Sequence, residues 1–233
     1  AQGYGQGHSE TLIGRVLRER SEEVYVATKV PPLPDTTTWP PPDDSDPRRM
    51  YPADYIVAAC EESLRRLQRE TVDVYQFHTW AAAFNVADEW HEAMERLRTQ
   101  GKIRAAGASV PDTKPDSVVG AVARGRIRSV QAIYNLFEQY PQYNLLPACE
   151  RLGAAVVVRV PFDEGALTGK YTRETVFAEG DVRRHYFRGG NLAAVVDRVE
   201  AIRRFKDERH PELSMAEYAL RFALSHDAVS TVI

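Results

Sequence analysis

Three side chains of this 233-residue chain are suited to proton transfer and stand where a fold can aim them: Tyr4, Lys29 and His78. Lys29 ends the apolar run Val24-Tyr25-Val26-Ala27-Thr28, and His78 ends Val72-Asp73-Val74-Tyr75-Gln76-Phe77. Tyr4 lies in a glycine-rich turn, Gly3-Tyr4-Gly5-Gln6-Gly7. A phenol of pKa about 10 is a poor acid at neutral pH, but a neighbouring ammonium stabilises the phenolate and lowers that value. A histidine alongside can donate a hydrogen bond to a carbonyl oxygen, so the set would act as a general acid aimed at a developing alkoxide. Taken singly, each of the three also reads as an ordinary rim residue.

Other patterns lack what their chemistry needs. Gly3, Gly5 and Gly7 follow no strand and come too close together for a dinucleotide fingerprint. Gly165, Gly169 and Lys170 miss the phosphate-loop spacing, with Tyr171 in place of the Ser or Thr. His91-Glu92 has Glu95 where a zinc helix needs its second histidine. Cys60 and Cys149 form no Cys-x-x-Cys pair, so neither a disulfide framework nor a metal site is expected.

The elements that must position these residues follow from periodicity. Short β-branched runs at Val24 to Thr28, Val72 to Phe77, Ile103 to Ser109, Val130 to Tyr134, Ala154 to Val160 and Val229 to Ile233 alternate with helical spacing, the pattern of a parallel α/β protein. Strands this apolar are buried on both faces, so a Lys and a His at their tips face a pocket. Ser9 is expected to cap a helix with the apolar stripe Leu12, Ile13, Val16 and Leu17. Further stripes run through Ile56, Cys60, Leu64 and Leu67, and through Trp90, Met94 and Leu97, the latter stopped by Gly101; all are expected to pack into the core. Ser214 and Glu217 have capping-box spacing. Two long connections, residues 31 to 52 with eight prolines and residues 161 to 190, follow strand ends and are expected to be functional.

Composition narrows the class. With 43% hydrophobic and 27% charged residues the chain is neither disordered nor a coiled coil, and a net charge of −3 gives no basic stripe for nucleic acid or acidic lipid. No apolar run reaches the roughly 18 residues of a membrane span and no secretory pattern opens the chain, so a cytoplasmic protein is expected.

In order along the chain, several segments resemble the aldo-keto reductase family of NADPH-dependent (β/α)8 TIM barrels. They are Tyr4-Gly5 with Ser9-Glu10; Ala27-Thr28-Lys29-Val30; Glu62 to Leu67 with Val72 to His78; and Gly101-Lys102-Ile103-Arg104 with Gly107-Ala108-Ser109. Gln131 with Tyr134-Asn135, and Pro161-Phe162 through Gly165 to Leu167-Thr168-Gly169-Lys170-Tyr171, continue the match. The resemblance, closest to general bacterial members, implies Tyr4 as general acid, Lys29 as the cation lowering its pKa, and His78 as the group orienting a substrate carbonyl. It implies that NADPH lies across the top of the barrel. Ser109 and Gln131 would hold its carboxamide; Arg159 would stand where many members stack an aromatic ring on the nicotinamide. Pro161, Phe162, Gly165, Lys170 and Arg188 would wrap the phosphate and adenosine end.

The resemblance further implies a single barrel domain over residues 1–233, incomplete at both ends, without the first strand, most of the second and the C-terminal tail. The family's aspartate, five residues before the tyrosine, would fall ahead of Ala1, and Val110 replaces an Asn after Ser109. The expected activity is reduction of a small aldehyde or ketone, with Trp39 and Trp80 as candidate substrate contacts that read equally as packing residues. Alternatives are a cofactor-binding regulatory subunit like the potassium-channel β-subunits, against which His78 argues, or an inactive fragment.

Overall fold

The alternation of β-branched runs with helical stripes folds as expected. In the computed structural model, which describes all 233 residues, the six strands are β1 (Ala27–Val30), β2 (Val72–Phe77), β3 (Ile103–Ser109), β4 (Ser129–Ile133), β5 (Ala155–Arg159) and β6 (Val229–Val232). Strand order follows chain order. Between them run helices α1 (His8–Arg18), α2 (Pro47–Met50), α3 (Ala53–Leu67), α4 (Glu89–Thr99), α5 (Val119–Ala123), α6 (Leu145–Leu152), α7 (Val182–Tyr186), α8 (Asn191–Arg209) and α9 (Met215–Leu224). The chain divides into two compact units, Ala1–Ala132 with Tyr143–Val156, and Ile133–Gln142 with Val157–Ile233. No helix is long and apolar enough to cross a membrane.

In the first unit β1 to β4 pair in parallel, with Lys29 opposite Gln76, Gln76 opposite Gly107, and Ser109 opposite Gln131. The first strand begins three residues later than its apolar run. Asp73 is the cause: its carboxylate accepts from the Val26 N–H at 2.7 Å, while the Val26 carbonyl takes the Asp73 and Val74 N–H groups, so regular pairing opens only at Ala27. Ile56, Cys60, Leu64 and Leu67 of α3 and Trp90, Met94 and Leu97 of α4 are all buried, and Gly101, at φ +73°, follows the end of α4 as the left-handed residue its position required.

Helix α1 corrects two expectations. Its N-cap is Gly7 at φ +89°, so Ser9 lies inside the helix rather than capping it. Its apolar stripe does not enter the core: Leu12, Ile13 and Val16 are exposed, and the buried residues are Glu10 and Gly14. The reason is close backbone approach. A Cβ at Gly14 would collide with the Arg66 and Leu67 carbonyls of α3, so the face with the smallest residue packs and the bulky stripe turns outward.

The proline-rich stretch is structured. Asp46 caps α2 through the Arg48 N–H at 2.9 Å, Met50 and Tyr51 are buried, and Leu33 N–H donates to Met50 O at 2.9 Å, closing the loop on itself.

In the second unit a core of Leu167, Phe187, Val195, Val199, Met215 and Ala219 joins α8 and α9 to the loop after β5, with Phe162, Tyr171 and Phe177 packed against it. The Ser214–Glu217 capping box is present in full. Cys60 and Cys149 are both fully buried free thiols, and burial pushes each up to about 12.

Candidate active site

The first unit gathers the proton-transfer residues. β2 ends at Phe77 and the chain bends at His78, whose N–H donates to Val30 O at 2.9 Å, fixing its backbone beside the end of β1. Lys29, one residue earlier on β1, is buried and lies opposite Gln76; side chains two apart share a face, so Lys29 and His78 point to the same side of the sheet. Tyr4 comes from the N-terminal turn. Its ring meets the His78 imidazole edge-on, centroids 5.7 Å apart, with the phenol itself more than half exposed. Gly3 makes this approach feasible, because a Cβ there would stand 3.2 Å from the His78 ring.

Beside His78 opens a cavity of about 410 Å³ lined by Pro32, Thr37, Thr38, Trp39, His78 and Thr79. Tyr51 braces its wall: the phenol accepts from the Thr79 N–H and donates to the Thr79 carbonyl, both at 3.2 Å. The two tryptophans part company here. Trp39, 57% exposed, lines the cavity, whereas Trp80 is fully buried against Phe77, Phe84 and Trp90 and donates its indole N–H to Ser117 O at 3.2 Å. Trp80 is thus a core residue in this structure, which corrects its expected substrate contact. Ser109 ends β3 and Gln131 lies in the middle of β4 as its register partner; both are buried, which brings a hydroxyl and an amide side by side.

A buried carboxylate, quoted in the sequence only as part of a matching segment and given no role there, anchors this region. Glu10, fully buried, accepts from Thr28 Oγ1 at 2.5 Å and Ser63 Oγ at 2.9 Å and pairs with Arg66 at 3.3 Å. Gln2 donates to Ser63 Oγ at 3.1 Å, and a Cβ at Gly7 would collide with the Arg66 guanidinium. No local pattern pointed to this role, because the apolar stripe of α1 lies on its exposed face and the partners of Glu10 are distant along the chain.

The second unit offers a loop built mostly from backbone. Arg159, half-buried, ends β5; Val160 then takes φ +57°, Asp163 +46° and Glu164 +53°, conformations L side chains rarely adopt and a β-branched one least of all. Hydrogen bonds hold the strained path. Asn135 donates to Val160 O at 2.9 Å while its Oδ1 accepts the Phe137 and Glu138 N–H groups. Tyr171 OH donates to Glu164 O at 2.8 Å and would collide with a Cβ on Gly165, which sits at φ +95°. Arg203 donates to Gly169 O at 2.8 Å. Tyr186 OH donates to Asp163 Oδ1 at 2.7 Å; burial still holds this carboxyl above the usual carboxylate value, with the hydrogen bond and Arg198 acting in the opposite direction. Pro161 is buried and Phe162 packs into the apolar cluster, while Lys170 and Arg188 are exposed, Arg188 lying 3.3 Å from the His185 ring.

Several known proteins are similar to this chain. The chain is 29% identical over 233 residues to the uncharacterized oxidoreductase YqkF of Bacillus subtilis (strain 168), covering 99% of this chain and 70% of that protein. It is 29% identical over 206 residues to the NADH-specific methylglyoxal reductase of Escherichia coli (strain K12), covering 86% and 62%. Among solved structures it is similar to the glycerol dehydrogenase AKR11B4 from Gluconobacter oxydans, with a TM-score of 0.78 at 28% identity, covering 99% of this chain and 69% of that one. The fold is therefore the TIM-barrel-like one of these proteins. Since the model of the aldo/keto reductase family matches residues 1–233, the chain belongs to that family of oxidoreductases.

Proposed function

We propose that the protein reduces a small aldehyde or ketone to the alcohol with a nicotinamide cofactor, Tyr4 serving as the general acid. The observation that carries this reading is the edge-on meeting of the Tyr4 and His78 rings at 5.7 Å beside a cavity that His78 itself lines. The cofactor, when bound, supplies the hydride. His78 orients the substrate carbonyl by a hydrogen bond to its oxygen, and Tyr4 delivers the proton to that oxygen as negative charge develops. Lys29, an ammonium on the same side of the sheet, stabilises the phenolate that remains.

The residues present fit such a cofactor in each unit taken by itself. In the first, the Ser109 hydroxyl and Gln131 amide match a carboxamide in donors and acceptors. In the second, Pro161 to Gly165 form a buried to half-buried turn held at positive φ, with Lys170 and Arg188 as solvent-facing cations suited to phosphate, Arg188 already beside His185. Those cations favour NADPH over NADH, which carries one phosphate fewer. Arg159 offers a guanidinium plane for stacking. Pro32 and Trp39 give the substrate cavity an apolar wall, with the Thr37 and Thr38 hydroxyls beside it.

Oxidation of NADPH, followed at 340 nm with a panel of aldehydes, ketones and quinones, tests the reading. Turnover with at least one carbonyl is expected, and Tyr4→Phe should lower kcat by about 100-fold or more, within the range general acids supply. Turnover that survives Tyr4→Phe at full rate would sink the proton-donor role.

A further inference from the structure

The buried carboxylate of Glu10 has no part in the proton transfer just described, yet it connects the segments that bring the participants together. Its own helix begins at His8, four residues after Tyr4, and the turn closes onto its first residues: the Tyr4 carbonyl accepts the Ser9 N–H at 3.5 Å, and the Gly5 carbonyl accepts the His8 N–H at 3.0 Å. Thr28, one of its donors, immediately precedes Lys29 on β1. Ser63 and Arg66, the others, belong to α3, and Arg66 is held independently by Glu62 at 2.9 Å. Gln2, two residues before Tyr4, closes the ring through Ser63 Oγ and Ala59 O, the latter at 2.5 Å.

We infer that Glu10 is the positioning residue of the proton-donating pair: by binding Thr28 from one side and α3 from the other, it fixes the turn carrying Tyr4 against the strand carrying Lys29. A fully buried carboxylate with three donors is a costly structure unless its partners are ordered together, so the network is either intact or lost as a unit. Loss of the carboxylate would release the turn by a fraction of an ångström to an ångström, enough to reduce a proton transfer steeply without touching the substrate cavity. The inference rests on the proposed carbonyl reduction for its kinetic consequence, though not for its structural one.

Three variants test it: Glu10→Ala, which deletes the acceptor; Glu10→Gln, which keeps an oxygen for Thr28 and Ser63 while Arg66 retains Glu62; and Thr28→Val, which removes one donor. In Glu10→Ala, kcat should fall about tenfold or more with KM within about twofold; Glu10→Gln should recover most of that loss, and Thr28→Val should show a smaller fall that is not additive with Glu10→Ala. A second readout needs no turnover. With ring-13C tyrosine in the whole chain and the Tyr4 signal identified by its loss in Tyr4→Phe, Glu10→Ala should shift or broaden that signal and leave the core Tyr75 signal in place, with Glu10→Gln restoring it. An unmoved Tyr4 signal in folded Glu10→Ala, or a rise in KM at unchanged kcat, would overturn the inference. A wild type that oxidises no cofactor defeats the proposed function instead, and the Tyr4 signal still decides the positioning role.

Discussion

At the end of β2 the chain bends at His78 and the groups on offer are side chains, with the His78 backbone tied to the end of β1. Beyond β5 the chain leaves its strand through Val160, Asp163 and Glu164, all at positive φ, and what it offers is largely backbone, held in an unfavourable shape by Asn135, Tyr171 and Arg203. One region obtains its geometry from burial of large rings beneath the site; the other obtains it from individual hydrogen bonds that oppose local strain. The first should therefore be broken by cavities, and the second by single polar atoms or single methyl groups.

The largest effect expected from this contrast is on the first region. Trp80→Ala should cost about 3–5 kcal/mol, as truncation of a fully buried aromatic does, whereas Trp39→Ala should leave stability nearly unchanged and alter the ranking of carbonyl substrates by kcat/KM. Urea unfolding of the two variants, run beside their kinetics, measures this; equal stability losses would erase the distinction between core and cavity wall.

An intermediate effect is expected in the loop. Gly165→Ala places a Cβ both at φ +95° and against the Tyr171 hydroxyl, so it should destabilise by about 1–3 kcal/mol. Its unfolding midpoint is compared with that of Gly153→Ala, where φ is +68° but nothing stands within 4 Å of the added atom. Equal losses at the two glycines would show that backbone strain alone, and not the Tyr171 contact, sets the cost.

The smallest effect is a pH slope. Asp163 has its folded carboxyl raised above the ordinary value mainly by burial, so the folded state holds this proton more tightly than the unfolded one. Its contribution therefore favours folding at low pH and is lost as pH rises from the ordinary carboxyl value through the raised one. Asp163→Asn keeps an acceptor for Tyr186 and cannot ionise, so unfolding free energy should decline less across that window than in wild type. Parallel slopes would mean the carboxyl titrates alike in both states.

How far the sequence disclosed this molecule depended on distance along the chain. Lys29 and His78 were legible because each ends its own apolar run, and the capping box of α9 because Ser214 and Glu217 are three residues apart. Glu10 was not, since its partners Thr28, Ser63 and Arg66 lie 18, 53 and 56 residues away and no local pattern joins them. The late start of β1 was hidden for the same reason, residing in Asp73 of the neighbouring strand. The outward turn of Leu12, Ile13 and Val16 defeated a periodicity argument because a glycine's close approach, and not apolar area, chose the buried face of α1. In the loop after β5, Val160 carries the preferences of a strand residue into a left-handed conformation, so propensity pointed away from the structure adopted.

The two cysteines have a practical consequence. A thiol pushed up to about 12 is ionised in only about one molecule in 10⁵ at pH 7, and both sulfurs are sealed from reagents besides. Maleimides and mild peroxide should leave the native chain unmarked. A single cysteine introduced on the exposed surface, such as Asp44→Cys in the proline-rich loop, would then take a fluorophore alone and report on that loop with both native thiols left in place.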